Sequence, residues 1–471
     1  MWRTAWPLLA IVSLAAVVAP VRAETRPRYG GTLMLELHDV LTLTDPGDWP
    51  APLVGLVYDR LVHLDDRGRP QPGLASAWTH DSENKRWQFT IRAGAKFQDG
   101  SAITAAGVRA NLKSWSNVEI SGEDSILIQT DKPAPDVPVE LAGVRNAILH
   151  RGGDGVTIGS GPFRITEWQA GRHAVFTANE DYWGGRPFAD SIEFQMGSTL
   201  RDQLMDRQLG SYAATELSVD QIRNVEQNNQ TVTLSRPADL LALVFLQPES
   251  GGRPGKKPVD ARVRQALGLT MNRAAISNVI FQRKGLPASG LLPQWLTGYE
   301  FMFSGATDMN RAKELRADAA AFVVIGPIAL AYDFADPLAR LAAERIAVDA
   351  REAGIVVQPY AESHLYSKPA RASMNADAVL LRVPLQSLDP SIALAARMDD
   401  LGLPLESAPA ILGATRPEDL LEIERKLLES NRVLPVAHIP QVLWLNNAAH
   451  NWKQDLNGAW NLDQLWMEGA R

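Results

Sequence analysis

Turnover needs reactive side chains at set spacings, and this sequence of 471 residues offers few such arrangements. No serine occupies a Gly-x-Ser-x-Gly elbow, which would expose a nucleophile on a strained turn, and no His-Glu-x-x-His pair would grip zinc from one helix face. There is no cysteine, so thiol nucleophiles, thiolate metal sites and disulfides are excluded. The eight histidines, His38, His63, His80, His150, His173, His364, His438 and His450, are scattered without metal-ligand spacing. Gly159-Ser160-Gly161-Pro162 lacks the lysine and the glycine spacing of a phosphate loop and reads as a tight turn. Asp65-Asp66 and Asp399-Asp400 carry paired charge but no surrounding calcium loop, so they read as solvated turns. What remains is chemistry suited to recognition. Trp49, Trp183 and Trp295 lie near Gly or Pro turns, where an aromatic ring either lines a cleft or covers an edge. No cofactor or metal is implied.

The elements that would position such groups alternate between two periods. Leu33, Leu35 and Leu37 are spaced as in a strand, and Trp87, Phe89 and Ile91 alternate with Gln88, Thr90 and Arg92. Ile192 and Phe194, and then Leu243 and Phe245, mark further strands. Trp78 and Trp87 fall in these patterned stretches and are expected in a core. Val263, Ala266, Leu267 and Met271 share one helix face behind an Asp260 cap. Leu420, Ile423, Leu427 and Leu428 form a second stripe, with Thr415 and Glu418 spaced as a capping box and Pro417 in the first turn. A third helix is expected between Pro337 and Gly354, followed by a short strand over Ile355–Val357. Turns are expected over 65–72, 151–162 and 249–258, the last as a connection between lobes. Mixed helices and strands imply α/β lobes.

Composition is globular, with 45% hydrophobic and 21% charged residues, and the length predicts more than one domain. Net charge is -7 without a basic block, which argues against nucleic acid as a partner. At the N-terminus Arg3 precedes an apolar run, Pro7–Pro20, and then Val21-Arg22-Ala23. The run is shorter than the roughly 20 residues a bilayer span requires. It predicts a cleaved secretory signal over 1–23 and a mature chain starting at Glu24. Lacking cysteine, the chain has no site for a lipid anchor of the N-terminal cysteine type.

Several segments together resemble the family 5 extracellular solute-binding proteins of ABC transporters, the dipeptide, oligopeptide and nickel-binding type. They are Gly30-Gly31-Thr32-Leu33, Val57-Tyr58-Asp59-Arg60-Leu61, the Pro72–Trp78 segment, and the run Phe89–Gly100 continued by Thr104-Ala105. Gly159–Phe163, Asn179–Trp183 and Asp260–Leu267 follow in the same order.

That resemblance implies a two-lobed periplasmic-binding-protein fold of α/β class, with an extra subdomain inserted into the first lobe. The implied organisation is a first-lobe core of 24–58, 155–242 and 435–471, an inserted subdomain over 59–154, and a second lobe over 243–434. The Trp87–Gly100 block reads as scaffold within the insert. The chain between Thr104-Ala105 and Gly159 is short for the family, which implies a smaller ligand chamber. The resemblance implies a non-enzymatic, periplasmic, monomeric receptor that captures a small-molecule or peptide-like ligand and delivers it to ABC permease subunits in the inner membrane. Candidate ligand contacts are Trp49 and Ser160 in the first lobe, Gln247 near the crossing between lobes, and Arg382 and Gln386 in the second. Peptide-binding members carry an aspartate four residues before an Asp-Pro proline; here that proline is Pro390 and the position is Gln386, which is neutral. An exported hydrolase, or a binding-protein-like module for signalling or chaperoning, remains the alternative.

Overall fold

The computed structural model describes residues 27–468 except 38–50, 66–67, 114, 144–145, 153–156, 198–201, 204, 207–209, 211, 229, 247–257, 335, 364, 367, 386, 405–407, 413, 415 and 455–459. The expected signal segment 1–23 and most of the expected connection 249–258 lie outside the described residues.

Strand periodicity translates directly into burial. Along Arg86–Ile91 the residues Trp87, Phe89 and Ile91 are buried while their neighbours are exposed, so this strand has one face in a core. Ser191–Met196 alternates in the same way. Asp239–Phe245 differs, because every residue from Leu240 onward is buried. Leu241, Leu243 and Phe245 enter one apolar cluster and Leu240, Ala242 and Val244 another, so this strand is covered on both faces.

The strands form two principal sheets. The first runs in the spatial order Phe163–Gln169, His173–Ala178, Ser191–Met196, Thr32–Leu37, Ala214–Leu217, Val442–Leu445, Thr231–Leu234. The second runs Leu286–Pro287, Val433–Ile439, Asp239–Phe245, Ala378–Val383, Ile328–Asp333, Val357–Glu362. A separate four-stranded sheet of Ala75–His80, Arg86–Ile91, Ser125–Gln129 and Val118–Ile120 has its own core, from Leu61 to Ile148. The fold is therefore α/β with two lobes and an inserted subdomain.

The chain passes between the two main sheets twice, at 235–238 and at 440–441. The passages lie side by side: Ser235 N donates to Gln441 O (3.0 Å), Gln441 N to Ser235 Oγ (2.9 Å) and Ala238 N to Ile439 O (3.2 Å). Residues 243 and 434, expected from the sequence as bounds of the second lobe, lie within strands Asp239–Phe245 and Val433–Ile439 of the second sheet.

Helix Pro337–Glu352 buries Leu338, Ala339, Ala342, Ala343, Ile346, Ala347 and Ala350 on one face, and Asp336 caps it by accepting from Leu338 N and Ala339 N. Its far end changes the expected strand start. Gly354 is left-handed (φ 74) and Ile355 N bonds Ala350 O, a closing turn that retains Ile355, so the strand begins at Val357. Asp260 caps Ala261–Thr270 as its spacing predicts. The helix Pro417–Glu429 starts otherwise than expected: its N-cap is Arg416, without a side-chain cap, while Thr415 lies outside the described residues. The Arg416 guanidinium instead pairs with Asp419 in the first turn.

Candidate functional site

Strand direction locates the space between the lobes. In the first sheet, Thr32–Leu37 runs parallel to Ser191–Met196 and to Ala214–Leu217. Leu217 pairs with Val442, which directly follows the second passage, so the carboxyl ends of these strands point at the passages. In the second sheet, Ile328–Asp333 runs parallel to Val357–Glu362 and to Ala378–Val383. Val383 pairs with Leu240, next to the first passage. Carboxyl edges of both sheets thus face one another across a double crossover, the place where open α/β sheets take their ligands.

The expected ligand contacts distribute unevenly. Trp49, Gln247 and Gln386 lie outside the described residues. Arg382 lies one residue before the carboxyl end of Ala378–Val383 and is half-buried; its Nε (2.9 Å) and Nη2 (2.7 Å) both reach Asp239 Oδ2 on the adjoining strand. Asp389 caps helix Pro390–Leu401, where Oδ1 accepts from Ile392 N (3.0 Å) and from Ser391 Oγ (2.5 Å). Burial, and next the Asp389 charge, raise the Asp136 carboxyl in the inserted subdomain above its ordinary range.

Ser160 lies elsewhere, buried, with its hydroxyl donating to Asp59 Oδ2 (3.2 Å). Asp59 also accepts from Trp183 Nε1 (2.7 Å) and Tyr182 Oη (3.1 Å). Burial pushes its carboxyl up to about 6 even though these donors and Arg60 favour the charge. The neighbouring His63 imidazole is pushed down to about 3 by burial and by Arg60 and Arg92. Gly161 N donates to Val57 O (2.8 Å), and a Cβ on Gly159 would stand 1.8 Å from that same oxygen. Glycine is required here for backbone contact, not for a phosphate. Gln98 Nε2 donates to Phe163 O (2.7 Å) and Gly161 O (3.2 Å). Segments Val57–Leu61, Phe89–Gly100, Gly159–Phe163 and Asn179–Trp183 therefore meet in one joint that fastens the insert to the first lobe. Trp183 is a member of that joint, and Trp87 and Trp78 belong to the insert's core and its border.

A second polar network, unmarked by any sequence motif, supports the second lobe beside the passages. Glu300 Oε1 accepts from Ser289 N (3.2 Å) and contacts His438 Nε2 (3.1 Å), while Oε2 accepts from Gln294 N (2.9 Å). Burial opposes ionisation of Glu300, but His438 and the backbone donors outweigh it and hold the carboxyl below its ordinary range. Glu424 accepts from Leu291 N (2.5 Å) and Tyr299 Oη (2.8 Å), and burial pushes it up to about 7. Arg397, fully buried and pushed down to about 10 by burial, donates to Leu291 O and to Ala238 O in the first passage. Trp295 Nε1 donates to Pro237 O (2.8 Å) in the same passage. Scattered positions 238, 300, 397, 424 and 438 converge only through the fold. Among the described residues no group of three His, Cys, Asp or Glu could hold a metal ion, and no helix is long and apolar enough to cross a membrane.

The family profile of bacterial extracellular solute-binding proteins, family 5 Middle, matches residues 69–398. A probable D,D-dipeptide-binding periplasmic protein, DdpA, of Escherichia coli K12 is 24% identical over 296 residues, which cover 56% of this chain and 56% of that protein. The aligned region is thus little more than half of that relative's length. The structure of NikA from Staphylococcus aureus in complex with Ni(L-His)2 superposes with a TM-score of 0.78 at 17% identity, covering 93% of this chain and 100% of that one. The oligopeptide-binding protein AppA from Bacillus subtilis in complex with a nonapeptide superposes with a TM-score of 0.78 at 17% identity, over 94% of this chain and 100% of that one. At such identities the likeness establishes the fold alone.

Proposed function

The chain belongs to the bacterial extracellular solute-binding proteins of family 5, and from that footing we propose that it is the substrate-binding component of an ABC importer. It captures one solute between its lobes, closes by rotation about the passages at 235–238 and 440–441, and docks on permease subunits as a monomer in the periplasm after losing residues 1–23. The observation that carries this reading is the meeting of two carboxyl sheet edges across a double crossover, a geometry that lets a ligand touching both lobes favour the closed state. Ligand contacts are assigned to Arg382, Gln386, Gln247 and Trp49. Ser160 acts one step back, through Asp59, by fastening the insert.

One relative is named for a D,D-dipeptide and two similar structures hold a nickel–histidine complex and a nonapeptide, so this chain's solute is taken as small and polar or peptide-like. The test is mass spectrometry of the solute carried through native purification, combined with small-angle scattering after it is removed and returned. The expected result is unaltered solute and a smaller radius when it is bound. Conversion of the solute, lost on substitution of a single residue, would replace transport with the exported-hydrolase reading.

A further inference from the structure

Resting on the reading of the passages as the lobe hinge, we propose that the Glu424 carboxyl and the Arg397 guanidinium form a proton-sensitive clamp on the first passage, which holds the lobe connection firmly in acid and slackens it in alkali. Glu424 lies on helix Pro417–Glu429 and Arg397 on helix Pro390–Leu401, and the two side chains meet over one residue. Leu291 N donates to Glu424 Oε1 (2.5 Å), and Leu291 O accepts from Arg397 Nη1. The same guanidinium reaches Ala238 O in the passage through Nη2. A change at the carboxyl is therefore passed to the lobe connection through Leu291 and Arg397.

Ala238 is where the network and the hinge coincide. Its N donates to Ile439 O (3.2 Å), which ties the first passage to the second, and Ile439 follows His438, the partner of Glu300. Ser235 and Gln441, bonded to one another, continue the strands of the first sheet. Arg397 thus grips the passage from the side of the second lobe. Trp295 Nε1 also holds Pro237 O (2.8 Å), a neutral bond that does not titrate.

The groups around Glu424 fix what its proton does. Tyr299 Oη donates to Oε2 (2.8 Å) and keeps its own proton, since burial and the Glu424 charge push the phenol upward. Glu300, beside Tyr299, is held ionised by His438 and backbone donors, and its charge opposes a second one at Glu424. His438, on strand Val433–Ile439, is lowered by burial and brings no compensating charge. Asp239 and Asp400 favour the charge on Arg397, and on the Glu424 helix itself Glu422 pairs with Arg425 and Lys426 at the surface. Arg397 is therefore the cation of this network. With Glu424 protonated, its guanidinium serves the neutral carbonyls Leu291 O and Ala238 O. With Glu424 ionised, a carboxylate competes for it, and a charge-assisted bond is roughly twice as strong as a neutral one. Among the described residues buried Arg397 Nε finds no acceptor, so the guanidinium has a donor to turn towards that carboxylate. The turn weakens its hold on Ala238 O. Burial, which pushes Glu424 up to about 7, sets the change near neutral pH.

The test is hydrogen exchange of the full mature chain without solute, read by mass spectrometry over peptides covering 235–241 between pH 6 and 8. Each rate is divided by the intrinsic rate at that pH. In the wild type, protection of the passage should fall by about twofold or more across the range, the lower bound for groups coupled in one hydrogen-bonded network. Strand Ile328–Asp333 of the same lobe gives the contrast, because it feels a loss of global stability but not a slackened clamp, and it should lose less. Glu424→Gln is neutral throughout and should hold the passage at its acid value. Tyr299→Phe removes a donor that favours ionisation and should move the midpoint to higher pH. A flat wild type, equal loss in passage and strand, the same fall in Glu424→Gln, or an unmoved midpoint in Tyr299→Phe overturns the clamp. Each of these results leaves solute capture standing, because no solute enters the measurement.

Discussion

Replacing Glu424 by Gln should stabilise the protein at pH 8 and do almost nothing at pH 5. Glu424 is fully buried and its carboxyl is pushed from 4.5 up to about 7, chiefly by burial. A displacement of that size corresponds to about 3 kcal/mol between the protonation states. For a carboxyl raised in the folded state, the sign is as follows. Above pH 7 both folded and unfolded chains are ionised, and the folded state carries the whole cost. As pH falls from 7 to 4.5 the folded state takes up its proton first and stability rises. Below 4.5 both states are protonated and the effect is complete. Gln is neutral throughout. Its carbonyl can accept from Leu291 N, and its amide can donate to Tyr299 Oη, so the partners of Glu424 are kept. Urea unfolding at half-unit steps from pH 5 to 8 should give a variant-minus-wild-type difference that climbs with pH to as much as about 3 kcal/mol. His438 and His63 also titrate unusually, but they are present in both proteins and cancel in the difference. A difference that stays flat across the range, or a variant less stable than wild type at pH 8, refutes the buried ionised carboxylate.

Asp59→Ala strips the acceptor from Trp183, Tyr182 and Ser160 within a buried joint, and chemical denaturation should register a loss of about 3 kcal/mol or more. Gly159→Ala forces a Cβ to 1.8 Å from Val57 O and should prevent the joint from forming, read as a collapsed melting transition or insoluble protein. Gly107→Ala, in helix Ala105–Asn111 with Thr104 Oγ1 at 3.5 Å as its nearest neighbour, should instead be neutral or stabilising by up to about 1 kcal/mol. Gln386→Asp should strengthen binding of peptides with free amino termini relative to acetylated ones, by up to about 2–5 kcal/mol if a buried ammonium gains its partner. Calorimetry showing tight free-amine binding by the wild type, with no gain from the substitution, would place the ligand's anchor elsewhere.

Local pattern was sufficient wherever one residue's neighbours in sequence decide its environment. The alternation of Trp87, Phe89 and Ile91 announces a strand with one buried face, and Asp260 before Val263 and Ala266 announces a capped helix, because period and capping are properties of a short stretch. The ordered segments from Gly30 to Leu267 were sufficient to identify the family and its two-lobed fold. What a family-like segment does was not legible. Gly159-Ser160-Gly161 read as a tight turn with Ser160 a candidate ligand contact, yet its glycines answer to Val57 and its serine to Asp59, more than a hundred positions away in the chain. The start of the strand at Val357 was displaced by the closing turn at Gly354, whose left-handed backbone depends on how the helix ends. Glu300, Arg397, Glu424 and His438 carry no spacing that links them, because their meeting is set by strand order in the second sheet and by the helices packed upon it. Sequence therefore determined the elements and the family, since those rest on short-range periodicity and ordered motifs, whereas tertiary structure alone decided which distant side chains share a dielectric and which edge opens on the cleft.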